Sequence, residues 1–186
     1  MIAEGLRIRP AAPDDAPALT RAVARNRTYM KPWEPYRAER YYTVEGQAER
    51  LADGGVRWFA VDGDGDGDGS GHGDGCGYEI VGVATLSGIA LGPLRSASLG
   101  YWIDQDHAGR GLATALVAEA CRAAREELGL HRIEAGTLLD NHASQRVLAK
   151  SGFTRIGTAP RFLHIDGAWR DHHLFQRVLH DDPPPA

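Results

Sequence analysis

Apolar positions along the 186 residues of this chain switch period several times, and the switches predict its elements. Residues 6–10 alternate apolar and charged side chains and read as a first strand. Pro13, Asp14 and Asp15 then open a helix, proline suiting its first turn and the acids its positive end. Ala16, Leu19 and Val23 mark the face it buries. Residues 26–42 carry two prolines and five aromatics, which predicts a structured loop with helical turns. A helix over 44–52 ends at Gly54 and Gly55. Strands follow at 56–61, 79–86 and 98–104.

The strongest periodicity lies in 109–128, with apolar residues at 113, 116, 117, 120, 121, 124 and 128 and with Glu119, Arg122 and Glu126 opposite. That spacing is helical, and Gly129 ends it. A strand begins at His131, Asn141 caps a short helix running to Lys150, and Gly152 terminates that helix. Residues 153–165 and 168–178 form a last strand pair around Asp166 and Gly167, the dipeptide of a tight type I′ turn. The order of elements predicts one mixed α/β (α+β) domain over 1–179, with a frayed proline-rich tail at 180–186.

Between the strands at 56–61 and 79–86 the hydrophobic pattern stops. Residues 62–77 are dominated by aspartate and glycine, which bury no apolar area, so they are expected to be a solvated loop at a hairpin tip. Asp62, Asp64, Asp66, Asp68 and Asp74 invite a calcium-loop reading, but the spacing is poor. Started at Asp62 or Asp64, the position of the closing glutamate holds Gly73 or Gly75; started at Asp68 it holds Glu79, but Ser70 and His72 stand where ligands belong.

Composition narrows the function classes. The net charge of −4 offers no global basic field, so neither nucleic acid nor an anionic membrane is an expected partner. No apolar run is long enough to span a bilayer. The first residues lack the basic and apolar regions of a secretory leader. Two cysteines, Cys76 and Cys121, make no disulfide framework and suit a reducing cytoplasm. The eight histidines are scattered without metal-ligand spacing, so no metal site is expected.

The segment Trp102-Ile103-Asp104-Gln105-Asp106-His107-Ala108-Gly109-Arg110-Gly111-Leu112-Ala113-Thr114 carries the most chemistry. A strand feeds a glycine-rich turn that opens into the long helix. The first helical turn leaves N–H groups unpaired at the positive end of the macrodipole, and glycines allow a pyrophosphate to approach the backbone. Gly109, Arg110, Gly111, Leu112, Ala113 and Thr114 would supply the donors, Arg110 adding a cation. These residues alone read equally well as a tight strand-to-helix connection. A dinucleotide-binding fingerprint and a P-loop are excluded, because GxGxxG is incomplete and no Gly-Lys-Ser/Thr follows.

This segment resembles the acetyl-CoA pyrophosphate loop of the GNAT N-acetyltransferases, Gln/Arg-x-x-Gly-x-Gly/Ala, with Gly111 and Ala113 at its last two marked positions and Ala108 where Gln or Arg is usual. The order of elements over roughly 6–178 is similar too, implying a mixed, mostly antiparallel sheet of about seven strands, flanked by helices and splayed at its centre. Asn141 to Phe153 resembles the family's Asn-x-x-Ser…Gly-Phe segment. Capping alone explains Asn141, but Ser144 less well. The resemblance implies that Asn141 contacts the pantetheine arm and that Ser144, beside the thioester sulfur, protonates the leaving thiolate. It also implies that Tyr101, Trp102 and Ile103 present backbone groups to the pantetheine amides.

Lys31-Pro32-Trp33-Glu34-Pro35 and Ile165-Asp166-Gly167-Ala168-Trp169-Arg170-Asp171-His172 resemble the RimJ-type branch, the ribosomal-protein-alanine N-acetyltransferases. That branch implies an acceptor groove between the early loop and the last hairpin, lined by Trp33, Tyr36 and His164, although Trp33 suits core packing equally. It implies a protein N-terminus as acceptor, a ribosomal protein foremost, with acetyl-CoA as cosubstrate, in a cytoplasmic monomer or homodimer. Glu34 or Glu134 would take the amine's proton through water, or would pair with a cation or face solvent. Related N-terminal acetyltransferases often carry a glutamate where this chain has Gly136. Acetylation of a small amine and a non-catalytic acyl-CoA-binding module are the other readings.

Overall fold

The computed structural model describes residues 5–63 and 77–183. Most of the aspartate–glycine tract, Cys76 and the last three residues lie outside that range. The strands are β1 (Leu6–Pro10), β2 (Val56–Asp62), β3 (Glu79–Ala90), β4 (Ser96–Ile103), β5 (Arg132–Leu138), β6 (Thr154–Ile165) and β7 (Ala168–Val178). The helices are α1 (Ala16–Arg25), α2 (Arg27–Met30), α3 (Val44–Leu51), α4 (Leu112–Glu126) and α5 (His142–Lys150), with 3-10 turns at Pro13–Asp15, Glu39–Tyr42 and Gln105–His107.

All strands join one sheet in the order β1-β2-β3-β4-β5-β7-β6. Every neighbouring pair is antiparallel except β4 and β5. Those two run parallel and pair only at Ser96–Arg132, Ala97–Ile133 and Ser98–Glu134. Beyond Ser98 they diverge, so the centre of the sheet opens as a wedge, as the resemblance implied. Strand alternation builds a core on each face. Trp58 and Ala60 of β2 join Leu112, Leu116, Val117 and Ala120 of α4, while Phe59 and Val61 join Ala18, Leu19, Ala22 and Val23 of α1. Burying each of these leucines contributes roughly 2 kcal/mol. Gly82 allows the close approach of α4, since a Cβ there would lie 2.6 Å from Ile103 Cδ1 and 2.9 Å from Leu116 Cδ1. Cys121 is part of the α4 core, and burial pushes its thiol pKa up, so it packs as a small apolar side chain.

Several boundaries differ from the periodicity. The long helix starts at Leu112 and not at Gly109, because Gly109 and Gly111 adopt φ of 80° and 81°, in the left-handed region. Strand β3 runs past its predicted end at Leu86 to Ala90, because Ala90 finds Ser96 as a partner, and β5 runs to Leu138, which pairs with His172. Asp166 and Gly167 both have positive φ, as a type I′ turn requires. Asp62 pairs with Glu79, so the aspartate–glycine tract does join a hairpin. After β7 the chain remains docked as far as His180, whose carbonyl lies 2.6 Å from His131 Nδ1.

Candidate active site

The wedge between β4 and β5 opens into a cavity of about 590 Å³. Its floor on one side is the connection from β4 to α4. Asp104, 2% exposed, is the anchor of that connection. Its carboxylate accepts from Arg25 Nε at 2.7 Å, Asn26 Nδ2 at 2.8 Å and Asp106 N at 3.0 Å. Its own N–H donates to the Val81 carbonyl at 2.9 Å, beside a bulge in β3. Asn26 returns a bond by accepting from Gln105 N at 3.0 Å. Burial pushes the Asp104 carboxyl pKa up, but the bonds from Asn26, Arg25 and Asp106 outweigh it and hold the group below its ordinary value. The end of α1 is thereby tied to the glycine turn.

The turn then presents the amino end of α4. Gly111 is the N-cap in the left-handed conformation, no side chain caps the helix, and its first turn holds no acid. The first intrahelical bond runs from Ala115 N to Gly111 O at 3.1 Å, so the N–H groups of Leu112, Ala113 and Thr114, three residues that line the cavity, have no helical partners. A Cβ at Gly109 or Gly111 would meet nothing within 4 Å, which leaves the approach to the backbone open. Backbone donors and the helix dipole make this end suited to an anion. Arg146 and Lys150 of α5 line the same cavity.

The opposite wall comes from α5. Asn141 caps it, accepting from Ser144 N at 3.0 Å. Ser144 Oγ lies 2.7 Å from the phenolic oxygen of Tyr101, which also reaches the Ser144 carbonyl at 3.1 Å. Burial pushes the Tyr101 phenol up to about 12, the bond with Ser144 opposing the shift, so the phenol keeps its proton at neutral pH. When the phenol donates to Oγ, the serine proton is free to be given to a leaving group.

Tyr101, Trp102, Ile103, Gly109, Gly111, Leu112, Ala113, Thr114, Asn141, Ser144 and Trp33 all line this one cavity. The other expected residues lie outside its lining. Arg110 is exposed on the turn. Tyr36 is 82% exposed, and His164 packs edge-on against Trp169 further along the last hairpin. Glu34 pairs with Arg37 at 3.3 Å and borders a separate small cleft with Asn26, Tyr41 and Trp102. Glu134 pairs with Arg132 opposite Ser98, where β4 and β5 are still closed together. The early loop and the last hairpin do meet: Pro35 and Ile165 form a β-bridge, and both line the cavity.

Besides Arg146 and Lys150, the lining holds Thr137, His107 and His172, none of them anticipated as site residues. Thr137 is 3% exposed and its hydroxyl has no partner, a buried polar atom facing the cavity. His107 is held between Asp62, 3.3 Å from Nε2, and Asp104, 3.6 Å from Nδ1. His172 is 2% exposed. No local sequence signal marks Thr137 or His107, and His172 stands in the hairpin motif without any sign of the face it takes.

Residues 5–154 match the acetyltransferase (GNAT) domain family. The chain is 34% identical over 175 residues to the probable N-acetyltransferase YjcK of Bacillus subtilis, covering 94% of each. It is 35% identical over 170 residues to the [ribosomal protein uS5]-alanine N-acetyltransferase of Escherichia coli, covering 91% of this chain and 86% of that one. Among solved structures, RimJ of Mycobacterium smegmatis in complex with CoA-disulfide superposes with a TM-score of 0.78 at 30% identity, covering 93% of this chain and 81% of that one.

Proposed function

The chain belongs to the GNAT acetyltransferase family and is an acetyl-CoA-dependent N-acetyltransferase, and on that premise we propose that its acceptor is a protein N-terminus, an alanine of a ribosomal protein foremost. The residues fit the cosubstrate. The α4 amino end suits a pyrophosphate, and Arg146 and Lys150 suit further phosphate charge. Past Ser98, β4 is paired with β3 but no longer with β5, so backbone groups on its β5 side are available to the amides of a pantetheine arm, which would lie there as a strand lies in a sheet. Ser144, with Tyr101 behind it, gives a proton to the sulfur as the C–S bond breaks.

One observation carries the choice of acceptor: among the described residues that line the cavity there is no aspartate or glutamate. A polyamine or other multiply cationic substrate requires carboxylates to replace its hydration, and this cavity offers arginine, lysine, aromatic and aliphatic groups. An α-amine has a pKa of about 8, so roughly a tenth of it is neutral at pH 7, against far less of a lysine side chain at about 10.4. Exposed Trp33, Tyr36, Phe162, Leu163 and Trp169 around the early loop and last hairpin suit contact with the residues that follow an N-terminus. The name of the Escherichia coli relative supports the ribosomal choice, and a cytoplasmic setting follows from such a partner.

The test is CoA release from acetyl-CoA with peptides bearing free N-terminal Ala or Ser, the same peptides blocked at the N-terminus, and small amines. Turnover confined to the free peptides is expected. Turnover with small amines alone would overturn the acceptor class and leave the acetyl transfer standing.

A further inference from the structure

The geometry points to His172 as the base that takes the proton from the attacking amine. This role rests on the acetyl-transfer reading of the site, whichever amine is the acceptor. His172 belongs to β7 and lines the cavity, although it is almost wholly buried. Its Nδ1 lies 3.0 Å from the Arg170 carbonyl. A carbonyl only accepts, so Nδ1 carries the ring proton, and the neutral imidazole keeps its lone pair on Nε2. Among the described residues the imidazole bonds through Nδ1, and no bond is made at Nε2. The fixed tautomer is the one a base needs.

The sheet register places His172 on one face of the sheet, with Gly136 and Leu138. Leu138 pairs with His172 and Gly136 with Leu174, so these four residues share one face of the sheet. Ala135 and Ile133 point the other way, into the core under α4 and α5, the side from which Ser144 and Tyr101 approach. Gly136 lies beside the imidazole: a Cβ there would sit 3.6 Å from His172 Cδ2 and 3.5 Å from Phe162 Cε1, both ordinary contact distances. Phe162 flanks the ring at 5.4 Å between centroids. The ionisable side chains facing the same cavity are Tyr29, Tyr101, His107, Arg146 and Lys150, and none of them is a carboxylate. Neither Glu34 nor Glu134 lines it.

The proton balance is closed. The amine nitrogen attacks the thioester carbonyl, the C–N bond forms, and the ammonium proton passes to His172 Nε2. The C–S bond breaks, and the thiolate receives the Ser144 proton, which Tyr101 replaces. His172 returns its proton to solvent, and solvent restores Tyr101. Base and acid act from opposite faces of the sheet, so the proton taken from the amine is not handed straight to the sulfur.

The experiment compares wild type, His172→Asn, His172→Gln, His172→Ala and the double variant Gly136→Glu/His172→Ala, using acetyl-CoA with a panel of N-terminal peptides and small amines. The asparagine amide retains a donor for the Arg170 carbonyl and removes the base, and glutamine serves if that variant does not fold. The expected result is a kcat/KM about 100-fold lower, with unchanged CoA affinity by calorimetry and an altered ascending limb of the pH–rate profile. Glutamate at 136, where its Cβ makes only ordinary contacts, is expected to restore at least about tenfold over His172→Ala. Wild-type turnover with near-normal rates in both the Asn and Gln variants would overturn the assignment alone, as would a loss matched by an equal loss of CoA affinity. No wild-type turnover with any amine would overturn the acetyl-transfer reading and this role with it.

Discussion

The phenolic oxygen of Tyr101 lies 2.7 Å from Ser144 Oγ, joining β4 to α5 across the mouth of the wedge. The two hydroxyls share one hydrogen bond, so their removal should not be additive. Ser144→Ala is expected to lower kcat by about 100-fold and Tyr101→Phe by about tenfold, with the double variant close to Ser144→Ala. Steady-state kinetics on the four proteins checks this; additive losses would separate the two groups.

The left-handed glycines make a second prediction. Gly111 caps α4 at φ 81°, where any L side chain costs about 1–2 kcal/mol. Gly111→Ala should raise KM for acetyl-CoA about tenfold while kcat at saturation changes little, because this turn positions phosphate and does not touch the reacting carbon. An unchanged KM would remove the turn from the cosubstrate site.

Asp104 ties α1 to that turn, so its protonation should be felt in stability. Burial raises its carboxyl pKa, but the donors Asn26, Arg25 and Asp106 N prevail, leaving the folded value below the ordinary 3.8. A depressed folded pKa stabilises above the unfolded value and loses that contribution as pH falls through the folded one. The urea midpoint is therefore expected to hold between about pH 7 and 5 and to drop below about pH 4. Asp104→Asn should cost about 2 kcal/mol at pH 7 and flatten the acid limb. It should not abolish that limb, because Asp15, bonded to Arg9 and Tyr78, is held low as well.

Trp33 lies on the early loop and lines the cavity, 37% exposed. Trp33→Ala is expected to raise KM for an N-terminal peptide about tenfold and to leave CoA affinity and the thermal midpoint nearly unchanged. A fall in the midpoint of several degrees without a KM effect would make the ring a packing group.

Much of the architecture was legible along the chain. Alternation gave the strands, the 3.6-residue period gave α4, and Asp166-Gly167 gave the final hairpin, because these are short-range consequences of backbone geometry. The glycine turn and the Asn141–Ser144 cap were legible for the same reason: glycines, a helix start and a capping side chain are neighbours in sequence.

What lay across the sheet was not. Leu138 and His172 are 34 positions apart, and only the β5–β7 register puts the imidazole beside Gly136 and turns it to the cavity. Residue type left Glu34 and Glu134 open as bases, as partners of a cation or as solvent-facing groups; in the fold Glu34 pairs with Arg37 and Glu134 lies where the wedge is still closed. The elements, the glycine turn ahead of α4 and the capped serine were legible along the chain, since each is set by residues within a few positions of one another. Where β4 and β5 part, which hydroxyl bonds Ser144 and which histidine lines the cavity follow from the tertiary fold, because strand pairing and packing join residues that no local pattern relates.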